Sequence, residues 1–216
     1  CEIELNFTIS RKGLEALREG KCELAGFNFP KSSTNNSKAF GTFGHLLTKN
    51  NGLIFFATRL QGLAVAPGNP KKIYSILDIA SRKAKFINRR EGTGTRILFD
   101  QMLDVLAVKP EEIEGYNDIS DTQFFTAVQI ASGKVDVGLC TANVAKENGL
   151  DFIPLAKEVY YLAADEKFLE TAKAKKFIQF LCSDDWAEFK DQLEGYDFTG
   201  TGEVFKVSDV FTADAS

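Results

Sequence analysis

The run Phe86-Ile87-Asn88-Arg89-Arg90-Glu91-Gly92-Thr93-Gly94-Thr95-Arg96 is where residue types and spacing most plainly could do chemistry. A strand-like stretch, Lys85 to Asn88, leads into a Gly/Thr turn that opens a helix with the apolar face Ile97, Leu98, Met102, Leu103, Leu106. Glycines at 92 and 94 let the backbone bend so that successive N–H groups point at one spot. Thr93 and Thr95 add hydroxyl donors, with the positive end of the helix dipole behind them. That is the chemistry of an anion cradle. The alternative is a plain strand-to-helix turn with Thr95 as its N-cap. GxxxxGK[ST] is absent, and GxGxxG would need glycine at Ile97. The turn therefore suits a small anion or a carboxylate better than a polyphosphate.

The chain has 216 residues and a net charge of −4, with ordinary hydrophobic (44%) and charged (26%) fractions. That is enough for one large domain or two small lobes with real cores. The acidic balance speaks against nucleic-acid binding, so an anion site must be local, made from backbone donors and one or two arginines. No apolar run is long enough to span a membrane. A strand-like run, Glu2 to Thr8, begins at once with no visible signal peptide, and the expectation is a leader either removed or left out of this sequence. Cys1, Cys22, Cys140 and Cys182 show no CxxC spacing, and His45 is the single histidine. No metal, cofactor or Cys-His nucleophile is expected. No G-x-S-x-G elbow supports serine catalysis.

An internal similarity suggests two lobes. Gly20-Lys21-Cys22-Glu23-Leu24-Ala25-Gly26 and Gly133-Lys134-Val135-Asp136-Val137-Gly138-Leu139 both read G-K-x-acid-apolar-small after an amphipathic helix. The glycine ends each helix in a left-handed cap, and a short buried strand follows. The expected elements are strands at 2–8, 22–28, 53–57 and 62–66, with helices near 12–19 and 40–49 and a polar loop at 31–38. Pro67-Gly68-Asn69-Pro70 is the clearest break. Beyond it the pattern gives helices at 75–80, 94–107, 121–132 and 142–148. Strands fall at 84–88, 113–117, 135–139, 151–155 and 158–163. Helices at 166–181 and 184–193 precede an irregular tail. Crossings near 62–67 and 155–160 divide the chain into lobe I, 1–64 with 158–216, and lobe II, 65–157. A ligand cleft is expected between them, at the carboxyl ends of the strands, with hinge closure at the two crossings.

These stretches, together with Gly13-Leu14-Glu15-Ala16-Leu17, Gln61-Gly62-Leu63-Ala64-Val65-Ala66-Pro67-Gly68-Asn69-Pro70, Leu150-Asp151-Phe152-Ile153-Pro154-Leu155-Ala156 and Gly195-Tyr196-Asp197, resemble the periplasmic-binding-protein-like domain related to molybdate- and tungstate-binding proteins. The resemblance covers nearly the whole chain. It implies an α/β, type II solute-binding fold that captures a small anion and does no chemistry on it. It carries over as ligand-binding candidates Thr8 and Ser10 after the first strand, Asn28 after the second, and Arg59 and Gln61 from Arg-x-Gln-Gly. Gly92, Thr93, Gly94, Thr95 and Arg96 follow from the turn, Thr122 from the later helix start, and Tyr160 from the return strand. The first loop, Thr8-Ile9-Ser10-Arg11-Lys12, is bulkier than the family's, and 31–52 lacks its tyrosine-bearing stretch. Both leave room for a small organic anion beside a bare oxyanion.

Each candidate has a structural alternative. Arg96 can pair with Asp100 at i,i+4, Arg59 can cover a strand edge with its stem, and Tyr160 and Trp186 can be packing. Lys173, Lys175 and Lys176 can form a solvated helix face. The resemblance implies a periplasmic component feeding an ABC-type transporter permease. The alternative is a ligand-sensing effector domain of a cytoplasmic regulator. Cys1 and Cys22 would start adjacent parallel strands, within disulfide reach in an oxidising compartment. The alternative is two unpaired thiols.

Overall fold

The computed structural model describes residues 3–31, 41, 43–190 and 192–211. The chain divides into two compact units, residues 1–58 with 158–216 and residues 59–157. Two long strands, β2 (Asn51–Val65) and β6 (Asp151–Asp165), run from one unit into the other. Each replaces two expected shorter strands. Both passages lie inside continuous extended strand, at Thr58-Arg59 and at Lys157-Glu158, so no turn marks them.

In the first unit, α1 (Ser10–Arg18) ends at Gly20, whose φ of +69° is a left-handed cap. β1 (Ala25–Pro30) lies antiparallel to β6, with Asn28 opposite Tyr160. Phe27, Phe29, Phe43, Tyr161 and Phe211 pack as an aromatic core. The expected strand at 2–8 is not there: residues 3–9 carry no regular structure, and Ile3, Leu5 and Phe7 are exposed. Alternation alone does not make a strand without a neighbour to pair with. Cys22 therefore precedes β1 rather than opening a strand next to Cys1. It is a free thiol facing the Gly13 carbonyl, and Cys1 lies outside the described residues. The polar loop at 32–38 also lies outside them. Of the helix expected at 40–49, the described residues give a 3₁₀ turn at Gly44–Leu46.

The later part of this unit is α6 (Glu166–Leu169), α7 (Ala172–Leu181) and α8 (Asp184–Lys190). The break between α6 and α7 comes at Thr171, whose hydroxyl caps α7. The tail is less irregular than its sequence suggests. It forms β7 (Tyr196–Asp197), β8 (Val204–Lys206) and α9 (Val207–Val210), with β8 paired to Gly52–Ile54 of β2.

The second unit is a mixed sheet in the order β2–β5–β3–β4. β3 is Phe86–Arg89, β4 Ile119–Ser120 and β5 Val137–Thr141; these three are parallel, and β2 runs antiparallel to β5. Residues 113–117, expected as a strand, are turns following a Pro110–Glu112 3₁₀ turn. Side chains alternate between two cores. Leu63, Val65, Phe86, Val137 and Leu139 face α2 (Ile76–Ser81) and α3 (Gly94–Val105) through Ile79, Leu98, Phe99 and Leu103. Ala64, Ile87 and Cys140 face the other way, onto Ala127, Ile130 and Ala145 of α4 (Gln123–Ala131) and α5 (Ala142–Glu147). The Phe86 and Phe99 rings stack at 4.4 Å. Helices on both faces of a largely parallel sheet make an α/β unit, and its parallel strand ends turn directly into helix starts. No helix among the described residues is long and apolar enough to cross a membrane.

Gly62 holds the β2–β6 packing inside this unit, because a Cβ there would overlap the Ile153 carbonyl oxygen and the Phe152 ring. Gly62→Ala is expected to destabilise the protein by about 1–3 kcal/mol, the range for overpacking a tight contact. Urea denaturation measures it.

Candidate functional site

Three parallel strands of the second unit end side by side, and each delivers a helix: β3 leads to α3, β4 to α4, β5 to α5. In open α/β sheets ligands sit beyond such carboxyl ends. Thr93, not Thr95, is the N-cap of α3; its hydroxyl accepts from the Arg96 N–H at 3.3 Å and donates to the Arg90 carbonyl at 2.8 Å. Of the two glycines, Gly92 takes the positive φ, +80°, and Gly94 is the first helical residue. The backbone N–H groups of Gly94 and Thr95 have no acceptor among the described residues. Two donors of a buried helix start are therefore open to an anion.

The turn also holds the unit's most unusual charge. Arg89, the last residue of β3, is 8% exposed. One guanidinium nitrogen donates to the Ser120 carbonyl at 2.8 Å, and Nε has no partner among the described residues. Burial pushes its pKa down to about 10, so it remains a cation at neutral pH. Asp121, the acid whose field it feels, is exposed and pairs instead with Arg90. A buried cation lacking an ion-pair partner is costly, and an anion placed beside it removes much of that cost.

Gln61 and Thr95 meet. Gln61 is fully buried on β2, opposite Thr141, and its side chain reaches the Thr95 hydroxyl at 2.5 Å. Gln123, the first residue of α4, reaches the same hydroxyl at 3.2 Å and accepts from both the Thr141 N–H and hydroxyl at 3.0 Å. Arg59 is half-buried two residues before Gln61 on β2. Thr122 is exposed and caps α4 by accepting from the Phe125 N–H.

Arg96 is held by structure. Its Nε contacts both Asp100 oxygens at 2.9 Å, and its guanidinium lies 4.3 Å from the Tyr116 ring centre. Burial is the largest single influence and works against its charge, but Asp100 and Tyr116 together outweigh it and the pKa is raised. Cys140, buried beneath the strand end, is pushed up to about 12 by desolvation and stays a thiol.

The first unit brings Asn28 and Tyr160 together, directly opposite on antiparallel strands and thus on one face. Asn28 is 7% exposed, and its Nδ2 has no acceptor among the described residues. Gly26 makes room for the Tyr160 hydroxyl, which a Cβ would overlap. Ser10 is the first residue of α1, and Thr8 lies exposed just ahead of it. Trp186 packs against Phe56, Phe180 and Phe198.

Sequence reasoning missed Arg89, Gln123 and Thr141 as site residues. The position of Arg89 just ahead of a Gly/Thr turn was a usable signal. Gln123 and Thr141 carried none, because their partners lie 28 and 18 residues away.

A family profile for the PBP superfamily domain matches residues 1–182, and the chain belongs to that family. It is 32% identical over 195 residues to the uncharacterized protein YvgK of Bacillus subtilis, covering 90% of this chain and 63% of that one. The chain thus spans under two thirds of that relative's length. Among solved structures it is similar to a putative phosphate ABC transporter substrate-binding protein with bound phosphate from Clostridium perfringens. There the TM-score is 0.60, the identity 18%, and the coverage 92% of this chain and 85% of that one. It is also similar to the Synechocystis CcmR regulatory domain in complex with 2-PG, with TM-score 0.58, 14% identity, and coverage of 83% and 81%. These likenesses establish the type II periplasmic-binding-protein-like fold, and both proteins bind small molecules.

Removing the α3 cap isolates the turn's own contribution. Thr93→Ala is expected to lower stability by about 1 kcal/mol, the usual value of an N-cap hydroxyl, read by urea denaturation.

Proposed function

We propose that the chain is a solute-binding protein that captures a small anion and presents it to an ABC-type transporter permease on the periplasmic side. The ligand is an oxyanion of the phosphate, molybdate or tungstate kind, or a small organic anion. The single observation that carries this reading is Arg89: a buried guanidinium without an ion-pair partner among the described residues, at a strand end beside two open N–H donors. Gln61, Thr95 and the Gly92–Thr95 backbone complete the second unit's share. Arg59 and Thr122 stand close by in sequence and supply charge and a hydroxyl. From the first unit, Asn28, Tyr160, Ser10 and Thr8 are the contributing residues, Asn28 through its unmatched Nδ2. Arg96 takes part by bracing the turn, since Asp100 and Tyr116 engage its charge.

A second reading keeps the same site and makes the chain the effector domain of a regulator. The similarity to a regulatory domain in complex with 2-PG supports it. Both readings are of binding without catalysis.

Arg89→Met tests the carrying observation. Replacing a buried charge that lacks an ion-pair partner with an apolar side chain of similar length removes the cost of its desolvation. The ligand-free variant should therefore melt at or above the wild-type temperature. Phosphate, molybdate, tungstate and 2-PG are then added in turn. At least one should raise the wild-type melting temperature and none the variant's. A variant that is strongly destabilised, or that responds to an anion as wild type does, refutes Arg89 as the anion's counter-charge.

A further inference from the structure

One buried atom on β2, on the residue opposite the last residue of β5, has no partner among the described residues: Gln61 Oε1, on a side chain with no solvent exposure. Its amide neighbour, Nε2, lies 2.5 Å from Thr95 Oγ1, and Gln123 Nε2 lies 3.2 Å from the same oxygen. In that arrangement one hydroxyl oxygen accepts two N–H groups. Its own proton goes unused, and the carbonyl oxygen beside it goes unmatched. The short distance is also out of character, since N–H···O bonds run at about 2.7–3.2 Å and O–H···O bonds at about 2.5–3.0 Å. The two ends of an amide have nearly the same shape, so the surrounding network decides which is which.

Here the network decides from the far side. Gln123 cannot turn, because its Oε1 accepts the Thr141 N–H and hydroxyl, both at 3.0 Å. Its Nε2 must then donate to Thr95 Oγ1. Thr95, with that lone pair used, is left to donate its proton.

We infer that the Gln61 amide faces the opposite way, with Oε1 accepting the Thr95 hydroxyl and Nε2 presented as an unmatched donor at the buried strand end. Gln123 is the positioning residue that enforces this. The bonds then run in one direction: Gln123 N–H to Thr95 oxygen, Thr95 O–H to Gln61 carbonyl, Gln61 N–H to the ligand. Each donor polarises the next, so the last N–H is strengthened as a donor. The subsite therefore takes a ligand oxygen that carries negative charge and no proton, such as an ionised oxyanion or carboxylate oxygen. A carbonyl end there would instead have asked for a ligand hydroxyl. The ligand part of this inference rests on the anion-binding reading; the orientation of Gln61 does not.

Neutron diffraction from deuterated, ligand-free crystals tests the orientation directly. The expected map has one deuteron between Thr95 Oγ1 and Gln61, belonging to Thr95, and two on the Gln61 atom away from it. Two deuterons on the Gln61 atom facing Thr95 overturn the inference. Gln123→Glu supplies the test of positioning. A carboxylate still accepts from Thr141 but also accepts the Thr95 hydroxyl, which frees Gln61 to donate to Thr95. The variant's Gln61 amide should therefore be turned over relative to wild type, and an unchanged amide refutes the role of Gln123. In solution, the Gln61 side-chain amide resonance is followed during titration with sulfate, phosphate and molybdate. A downfield proton shift in wild type supports the N–H as ligand donor. If other turn resonances move while this one does not, the donor role is refuted. If no anion moves any resonance, the anion-binding reading fails, and the neutron map still decides the orientation.

Discussion

A guanidinium taken out of water without a carboxylate beside it is the constraint around which the second unit makes sense. Arg89 keeps its charge at neutral pH although burial opposes it. Its one described side-chain bond is to a neutral carbonyl, Ser120 O. A protein interior tolerates such a group only where something else completes it. The first two N–H groups of α3 are open, and Asp121 and Asp100 are paired with Arg90 and Arg96. Those two acids are matched to Arg90 and Arg96, and Arg89 has no ion pair among the described residues.

The fold makes this arrangement affordable by rigidity. Phe86 and Ile87 are anchored in opposite cores, so the end of β3 has little freedom to carry Arg89 into water. The α3 start is fixed by the Thr93 cap and by Leu98 and Phe99 packed behind it. Asp100 ties Arg96 and Tyr116 into one cluster, with the Tyr116 hydroxyl donating to Asp100 at 2.9 Å. Asn88 adds a second tie through its bond to the Tyr116 carbonyl. These contacts hold the turn in place before any ligand arrives, which limits the ordering cost of binding.

The same logic explains why the first unit reads differently. Its core is aromatic, and its polar candidates are few. Asn28 and Tyr160 share one face because β1 and β6 are antiparallel and in register there. Gly26 is the residue that lets Tyr160 lie across the strand. No basic side chain appears among the candidates of this unit, so what they offer is hydrogen bonding rather than charge.

The sequence by itself determined the local grammar. The helix start at Thr122 and the left-handed stops at Gly20 and Gly133 follow from short-range rules that each segment obeys alone, whereas the cap of α3 falls on Thr93, two residues ahead of the Thr95 expected. The apolar strands of the second unit, the α/β class and the Gly/Thr turn as a helix start were legible on the same terms. The strand expected at 2–8 was misread because its alternation is local while pairing is not, and no strand among the described residues pairs with it. Tertiary structure alone decided which polar groups are isolated. Nothing in Asn88-Arg89-Arg90 says that the middle arginine is buried and the last one exposed. Nothing in the separate stretches around 61, 95 and 123 says that two amides converge on one hydroxyl, across 34 and 28 residues. Desolvation and hydrogen-bond direction depend on neighbours brought together by folding, and the function proposed for this chain rests on both.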